Sequence, residues 1–269
     1  MKILLFIFFI TATLGLAYID NDIDGVEDAY DQCLQTPLSD LVDFKGCSLN
    51  TNSQMFHYDI VFGMGFSQTN YTLQEKTNTI TSYIQSDFYF DKTTLQIVAS
   101  RYYSKVKEGD ENGWDDTTFT VFHQLYSTDF FHLNFLTALI FPTYKNIYHN
   151  EALDYKVGFD FRYILDDTNS LFGGYSYTAV NDSDFQSILY QDTQAFDIKF
   201  AHTIDFKKTY TLSYTFNESI YKSIPPIQTV GIGYAIDINE HWFVGGYYDY
   251  GLSTSASQHA FSLSVGYFY

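Results

Sequence analysis

Apolar and polar residues alternate one by one along most of this chain, and this alternation constrains the fold more than any other feature. In FHYDIVFGMGF the even positions from Phe56 to Phe66 are aromatic or aliphatic, and the odd positions are polar or small. DYKVGFDFRYIL repeats the pattern, with apolar residues at odd positions from Tyr155 to Leu165 and charges between them. A period of two residues predicts β-strands with one apolar face.

The composition favours a membrane wall over an ordinary soluble core. Aromatic residues make up 20% of the 269 residues, yet no apolar run after residue 17 is long and uncharged enough for a spanning helix. Charges opposite an unbroken apolar face suit a wall with lipid outside and water inside. The net charge of −18 argues against nucleic acid as a partner, because phosphate recognition needs clustered Lys and Arg.

Segments with this alternation lie between residues 55 and 269, and each approaches the roughly 9–11 residues that a tilted strand needs to cross a bilayer. The predicted strands are 55–67, 79–90, 94–104, 117–126, 131–141, 154–165, 170–180, 194–204, 209–217, 227–238, 242–250 and 259–269. Short turns at 91–93, 166–169, 205–208 and 239–241 alternate with long polar loops such as 105–116 and 181–193. We expect an all-β, antiparallel up-and-down transmembrane barrel of about twelve strands, or ten if 70–90 is misassigned. The alternative is a secreted, soluble β-sandwich.

The N-terminus predicts export. Residues 1–17, MKILLFIFFITATLGLA, have an early lysine, an apolar run and small residues near a cleavage point, as in a secretory signal peptide. The alternative is an N-terminal membrane anchor, for which the apolar run is short. The chain has two cysteines, Cys33 and Cys47, and an even count in an exported protein predicts a disulfide rather than two free thiols.

The C-terminal segment FSLSVGYFY resembles the terminal strand of bacterial outer-membrane proteins. The resemblance extends over residues 55–269, whose pattern of strands and loops is similar to that of porin-like barrels of Gram-negative bacteria. It implies an outer-membrane location among lipid and lipopolysaccharide, and recognition by the barrel-assembly machinery. An even strand number places both barrel ends in the periplasm, so we expect the N-terminal segment there and the long loops outside the cell.

A ladder of carboxylates, DNDIDGVEDAYDQC, precedes the barrel. Its spacing matches the oxygen-ligand offsets of a twelve-residue calcium loop, with Gly25 at the sharp turn. The predicted Ca²⁺ ligands are Asp20, Asp22, Asp24, the backbone carbonyl of Val26, Asp28 and Asp31. The alternative is a solvated acidic linker.

The stretch from Asp20 to Cys47 resembles a thrombospondin type 3 repeat, as found in the periplasmic parts of some OmpA-like proteins. The Asp ladder, Cys33, Thr36-Pro37, Val42-Asp43 and Gly46-Cys47 carry the resemblance. It implies that 18–50 is a calcium-binding segment, and a periplasmic partner for this segment is possible.

Charged residues on the predicted inner face suggest a narrow passive channel for a small-molecule solute. They are His57, Asp59, Asp87, Lys156, Asp160, Arg162, Asp197, Lys199, Asp237 and Asp249. If these charges pair with each other, the barrel is filled, and its role is structural or adhesive. A third hypothesis, a lipid hydrolase, needs His and Ser together on the outer face. His123 and His202 are outward but lack a serine opposite, so we expect no enzyme; His57 and Asp59 are expected to be a hydrogen-bonded pair.

Overall fold

The chain divides into two units, Met1–Met55 and Phe56–Tyr269. The structure, a computed structural model, describes residues 32, 33, 42, 45 and 47 of the first unit and 57–69, 77–106, 109–144, 152–184, 186–205 and 207–269 of the second. In the first unit, Cys33 and Cys47 form a disulfide, and the amide of Gln32 donates to the carbonyl of Lys45 over 2.8 Å. The predicted signal peptide at 1–17 and calcium loop at 20–31 lie outside the described residues.

The described part of the second unit is one closed antiparallel sheet. Its strands are β1 (His57–Thr69), β2 (Thr77–Phe90), β3 (Thr93–Val106), β4 (Gly109–Trp114), β5 (Thr117–Ser127), β6 (Phe131–Phe141), β7 (Asp154–Ile164), β8 (Asn169–Ala179), β9 (Thr193–Ile204), β10 (Lys208–Asn217), β11 (Ile227–Asp237), β12 (Trp242–Gly251) and β13 (His259–Phe268). β4 and β5 follow one another along β3, so the ring is a barrel with twelve strand positions. β1 pairs with β13 from Asp59↔Phe268 to Gln68↔His259, which closes the ring.

The structure confirms the predicted barrel and corrects one predicted loop. β2 is present, so the alternative with ten strands is excluded. Residues 105–116 were expected to form a loop, but β3 continues to Val106 and β4 returns along it. The cross-strand pairs between β3 and β4 continue past the apolar part of β3. Polar side chains support this pairing, because the hydroxyl of Tyr103 donates to the carboxylate of Asp110. Elsewhere the predicted strand ends lie within two residues of the observed ends.

Large apolar side chains dominate the face that points away from the barrel interior. Met64 is 62% exposed, Ile232 59% and Leu263 55%, and no large side chain among the described residues is fully buried. A water-soluble fold would bury this surface, whereas a lipid-facing wall exposes it. No helix among the described residues is long and apolar enough to cross a membrane.

Aromatic residues flank this apolar band at both ends of the barrel. We call the end with the short turns the turn end and the opposite end the loop end. Exposed aromatic residues of the outer face include Tyr163, Tyr210 and Trp242 at the turn end, and Tyr103, Tyr155 and Tyr177 at the loop end. Tyr and Trp concentrate at membrane interfaces, where an apolar ring and a polar tip are both solvated.

Candidate functional site

The strand register places all ten predicted charged residues on the inner face of the barrel. Residues directly opposite each other in neighbouring strands point to the same face, so the pairs Asp59↔Asp87 and Gly174↔Asp197 extend the inner face around the ring. Two-residue periodicity assigns the rest of each strand. The inner-face set is His57, Asp59, Asp87, Lys156, Asp160, Arg162, Asp197, Lys199, Asp237 and Asp249.

Four of these ten residues line one cavity of about 640 Å³, which we call the central cavity: Asp160, Asp197, Lys199 and Asp249. The central cavity also contacts Phe122 of β5 and Leu136 of β6, across the ring from Asp249 of β12. A single cavity therefore extends from one side of the barrel to the other.

Two further cavities adjoin the central cavity. A cavity of about 310 Å³ near the turn end is lined by Asp87 and shares Phe122 with the central cavity. Another, of about 260 Å³, shares Lys199 and Tyr247 with it. The described interior is thus a series of spaces bounded by shared side chains. His57, Asp59, Lys156, Arg162 and Asp237 line none of these three cavities.

Neutral side chains, rather than cations, hold the inner-face carboxylates. Gln85 and Gln96 each donate to Asp87 over 2.7 Å, and Asn134 donates to Oδ1 of Asp160 over 2.8 Å. Oδ2 of Asp160 is buried and has no hydrogen-bond partner. Within the ranges that the structure describes, no inner-face carboxylate forms an ion pair with Lys or Arg. The charges are therefore not consumed by mutual pairing.

The inner-face cations are likewise free of carboxylates. The guanidinium of Arg162 lies over the ring of Phe172, 5.4 Å from its centre, and donates to Ser170 over 3.4 Å. Lys199 lines the central cavity together with Asp249 but forms no ion pair with it. This separation leaves charged groups along the wall that a solute can meet.

Glycines let inner-face aromatic rings lie flat against the wall. A Cβ added to Gly63 would stand 2.1 Å from Cζ of Tyr83, and one added to Gly266 would stand 2.1 Å from Cζ of Phe243. These rings therefore occupy the space that a side chain on the neighbouring strand would fill. The flat orientation keeps them out of the middle of the barrel.

His57 and Asp59 do not bond to each other, contrary to expectation. Nδ1 of His57 lies 3.3 Å from the carbonyl oxygen of Tyr269, and Tyr89 donates to Asp59 over 2.8 Å. Residues two apart on one strand are about 7 Å apart, so cross-strand partners are nearer.

The outward histidines have structural partners at the turn end. Nδ1 of His123 lies 3.0 Å from the hydroxyl of Thr93, and Nδ1 of His202 lies 2.9 Å from Oδ1 of Asn169. A Ser–His contact that sequence reasoning did not find joins Ser127 and His132 over 2.9 Å. A catalytic histidine is oriented by a third group, and the described residues provide no such hydrogen bond to His132.

Sequence reasoning also missed the apolar residues of the inner face, above all Phe122 and Leu136. The segment FLTALIF of β6 is apolar on both faces, and this feature of the sequence could have predicted apolar residues inside the barrel.

No group of three or more His, Cys, Asp or Glu in the described ranges is arranged to hold a metal ion.

Comparison with known proteins identifies the fold of the barrel. No family model and no curated protein matches the chain. Among solved structures, an outer membrane channel from Pseudomonas putida F1 superposes with a TM-score of 0.61 at 14% identity, covering 81% of this chain and 96% of the other. The barrel has the outer-membrane β-barrel fold. The translocator domain of the autotransporter NalP from Neisseria meningitidis is also similar, with a TM-score of 0.52 at 14% identity over 81% and 90% of the two chains.

Proposed function

We propose that this protein is a narrow passive channel for small solutes in the bacterial outer membrane. The observation that carries the proposal is the central cavity, which reaches across the ring and is lined by carboxylates that form no ion pair with a lysine or arginine of the described residues. Twelve strand positions lie between barrels of about eight strands, which side chains fill, and the open pores of 16–18 strands.

Single-channel recording in planar bilayers tests this proposal. Protein folded in detergent and inserted into the bilayer is expected to carry a steady current, because charged and polar side chains line the interior. A folded, inserted protein without current would contradict the channel and favour the filled structural or adhesive barrel.

The proposal includes a topology. With both ends of the barrel sheet at the turn end, the short turns and residues 18–50 would face the periplasm, and the long loops the cell exterior. Tyr269, which follows β13 and is 64% exposed, would be the residue that the assembly machinery recognises. Protease treatment of intact cells should cut only loop-end segments if this orientation is right.

We further propose that residues 18–50 bind Ca²⁺ through the carboxylate ladder. Calcium titration of the folded protein should show binding that Asp24→Ala abolishes. Glu27→Gln is the matched control, since Glu27 lies in the same ladder at a non-ligand offset. Equal loss in both variants would indicate a general acidic linker instead.

A further inference from the structure

The central cavity carries an excess of negative charge. Three carboxylates, Asp160, Asp197 and Asp249, share it with one ammonium group, that of Lys199. Charges in a confined space with protein walls act more strongly on a solute than they do in open water. The cavity therefore favours a cationic solute over an anionic one.

Two of these carboxylates fit into gaps left by glycines on the neighbouring strand. A Cβ on Gly174 would stand 2.7 Å from Oδ1 of Asp197, and one on Gly231 would stand 2.5 Å from Oδ1 of Asp249. The carboxylates thus lie along the wall, and the middle of the cavity stays free for a solute.

Asp160 offers the third carboxylate. Its Oδ1 accepts from Asn134, while its Oδ2 is buried without a partner. Because Oδ2 is closed to solvent, Asp160 acts on a solute in the cavity through its negative charge rather than through a direct contact of Oδ2.

The other side of the central cavity is apolar. Phe122 and Leu136 line it opposite Asp249 and contribute no hydrogen-bonding group. An aromatic face also attracts cations. A solute that satisfies both sides combines an apolar group with a positively charged one.

A bare metal ion fits this arrangement poorly. The described residues contain no group of three or more carboxylates or histidines close enough to coordinate one ion. Carboxylates spread around a cavity of about 640 Å³ match a molecule of organic size, because small-molecule sites usually have volumes of about 300–1,000 Å³.

We propose that the central cavity binds small organic ammonium ions that carry an apolar group, as the solute class of the channel. This inference rests on the proposed function for its biological meaning, but the binding itself can be measured without any current.

Isothermal titration of the full-length, detergent-folded protein tests the inference with three probes. They are 2-phenylethylammonium, 3-phenylpropionate, which has a similar apolar group with the opposite charge, and methylammonium, which has no apolar group of comparable size. We expect 2-phenylethylammonium to bind at least about tenfold more tightly than either of the others. Equal binding of 2-phenylethylammonium and 3-phenylpropionate would overturn the inference.

Substitutions locate the site. Asp160→Asn and Asp249→Asn each remove one charge at nearly constant shape, and each should weaken binding of 2-phenylethylammonium about three- to tenfold. Phe122→Ala should weaken binding of this probe without changing that of methylammonium. Asp205→Asn removes a carboxylate from a turn that lines none of the three cavities, and it should leave the affinity unchanged. Unchanged affinity in both cavity variants would refute the site.

Planar-bilayer recording separates the two proposals. A steady current without preferential ammonium binding would overturn the inference and keep the channel. Preferential binding without a current would uphold the site and overturn the channel.

Discussion

At the scale of single residues, glycines on the inner face determine how much of the barrel interior is free. Tyr83 lies against Gly63, and Tyr247 lies against Gly231 and Gly233. The hydroxyl of Tyr247 is also hydrogen-bonded to Ser213, which fixes the ring against the wall. The alternation of charged and apolar residues in the sequence does not show whether an inner-face aromatic ring lies flat against the wall or crosses the barrel interior.

Gly63→Ala should narrow the interior. The added methyl group overlaps the ring of Tyr83 at 2.1 Å, so the ring must move toward the middle of the barrel. We expect lower single-channel conductance and a loss of about 1–3 kcal/mol in the free energy of unfolding from overpacking. Gly65→Ala is the control on the same strand and face, since its Cβ would have its nearest neighbour at 3.6 Å. Equal conductance in the two variants would contradict this account.

At the scale of elements, the tight turns use aspartates to reverse the chain. Asp91 and Asp205 adopt positive φ angles of 46° and 53°, which Asp tolerates better than most residues. Between β7 and β8, Asp166 instead accepts from the side chain of Asn169 at 2.8 Å and from the amide of Thr168 at 2.9 Å. These donors stabilise the carboxylate form and lower the pKa of Asp166 from 3.8 to about 2.

This turn should therefore depend on pH. Because the pKa of Asp166 is lower in the folded protein than in the unfolded chain, its contribution is present above about pH 4 and is lost as the pH falls toward 2. Asp166→Asn should lower the thermal midpoint at pH 7 relative to Asp167→Asn, which removes the adjacent charge. The difference should shrink as the midpoints are measured from pH 4 down to pH 2. A difference that persists at pH 2 would assign the effect to shape rather than to charge.

At the scale of the whole molecule, the apolar outer face of the barrel suits lipid or detergent rather than water. The described strands bury small polar side chains such as Ser213 and Thr120, while large apolar ones are exposed. Apart from β4, which pairs with β3 alone, the strands of the closed ring satisfy their backbone amides without edges, as a membrane requires.

A charge should therefore be tolerated on one face of β13 and not on the other. Leu263 faces lipid and is 55% exposed, whereas the adjacent Ser262 lines an interior cavity. Leu263→Arg should destabilise the protein in lipid vesicles by about 2–4 kcal/mol, the cost of Arg near the bilayer midplane. Ser262→Arg should cost much less, because interior water solvates the new charge. Denaturant unfolding in vesicles measures both, and equal costs would contradict the assignment of faces.

The strands and their two faces could be predicted from the sequence alone. In segments such as 154–165, alternation is a local property that each strand must satisfy, because lipid and water lie on opposite sides of the same wall. Strand ends and the inner position of charges such as Asp160 and Lys199 follow from it. The pairing of β4 with the end of β3 was not predicted, since the polar residues of β4 lie beyond the apolar part of the wall.

Which inner residues meet depends on the closed barrel and not on local sequence. Phe122 and Asp249 are distant in sequence and lie on opposite sides of the ring, so closure between β1 and β13 brings them to one cavity. The donors that hold the carboxylates, such as Asn134 for Asp160, follow from the register between strands. Alternation fixes the face of a residue but not its height or its neighbours, because these depend on how all the strands align when the sheet closes.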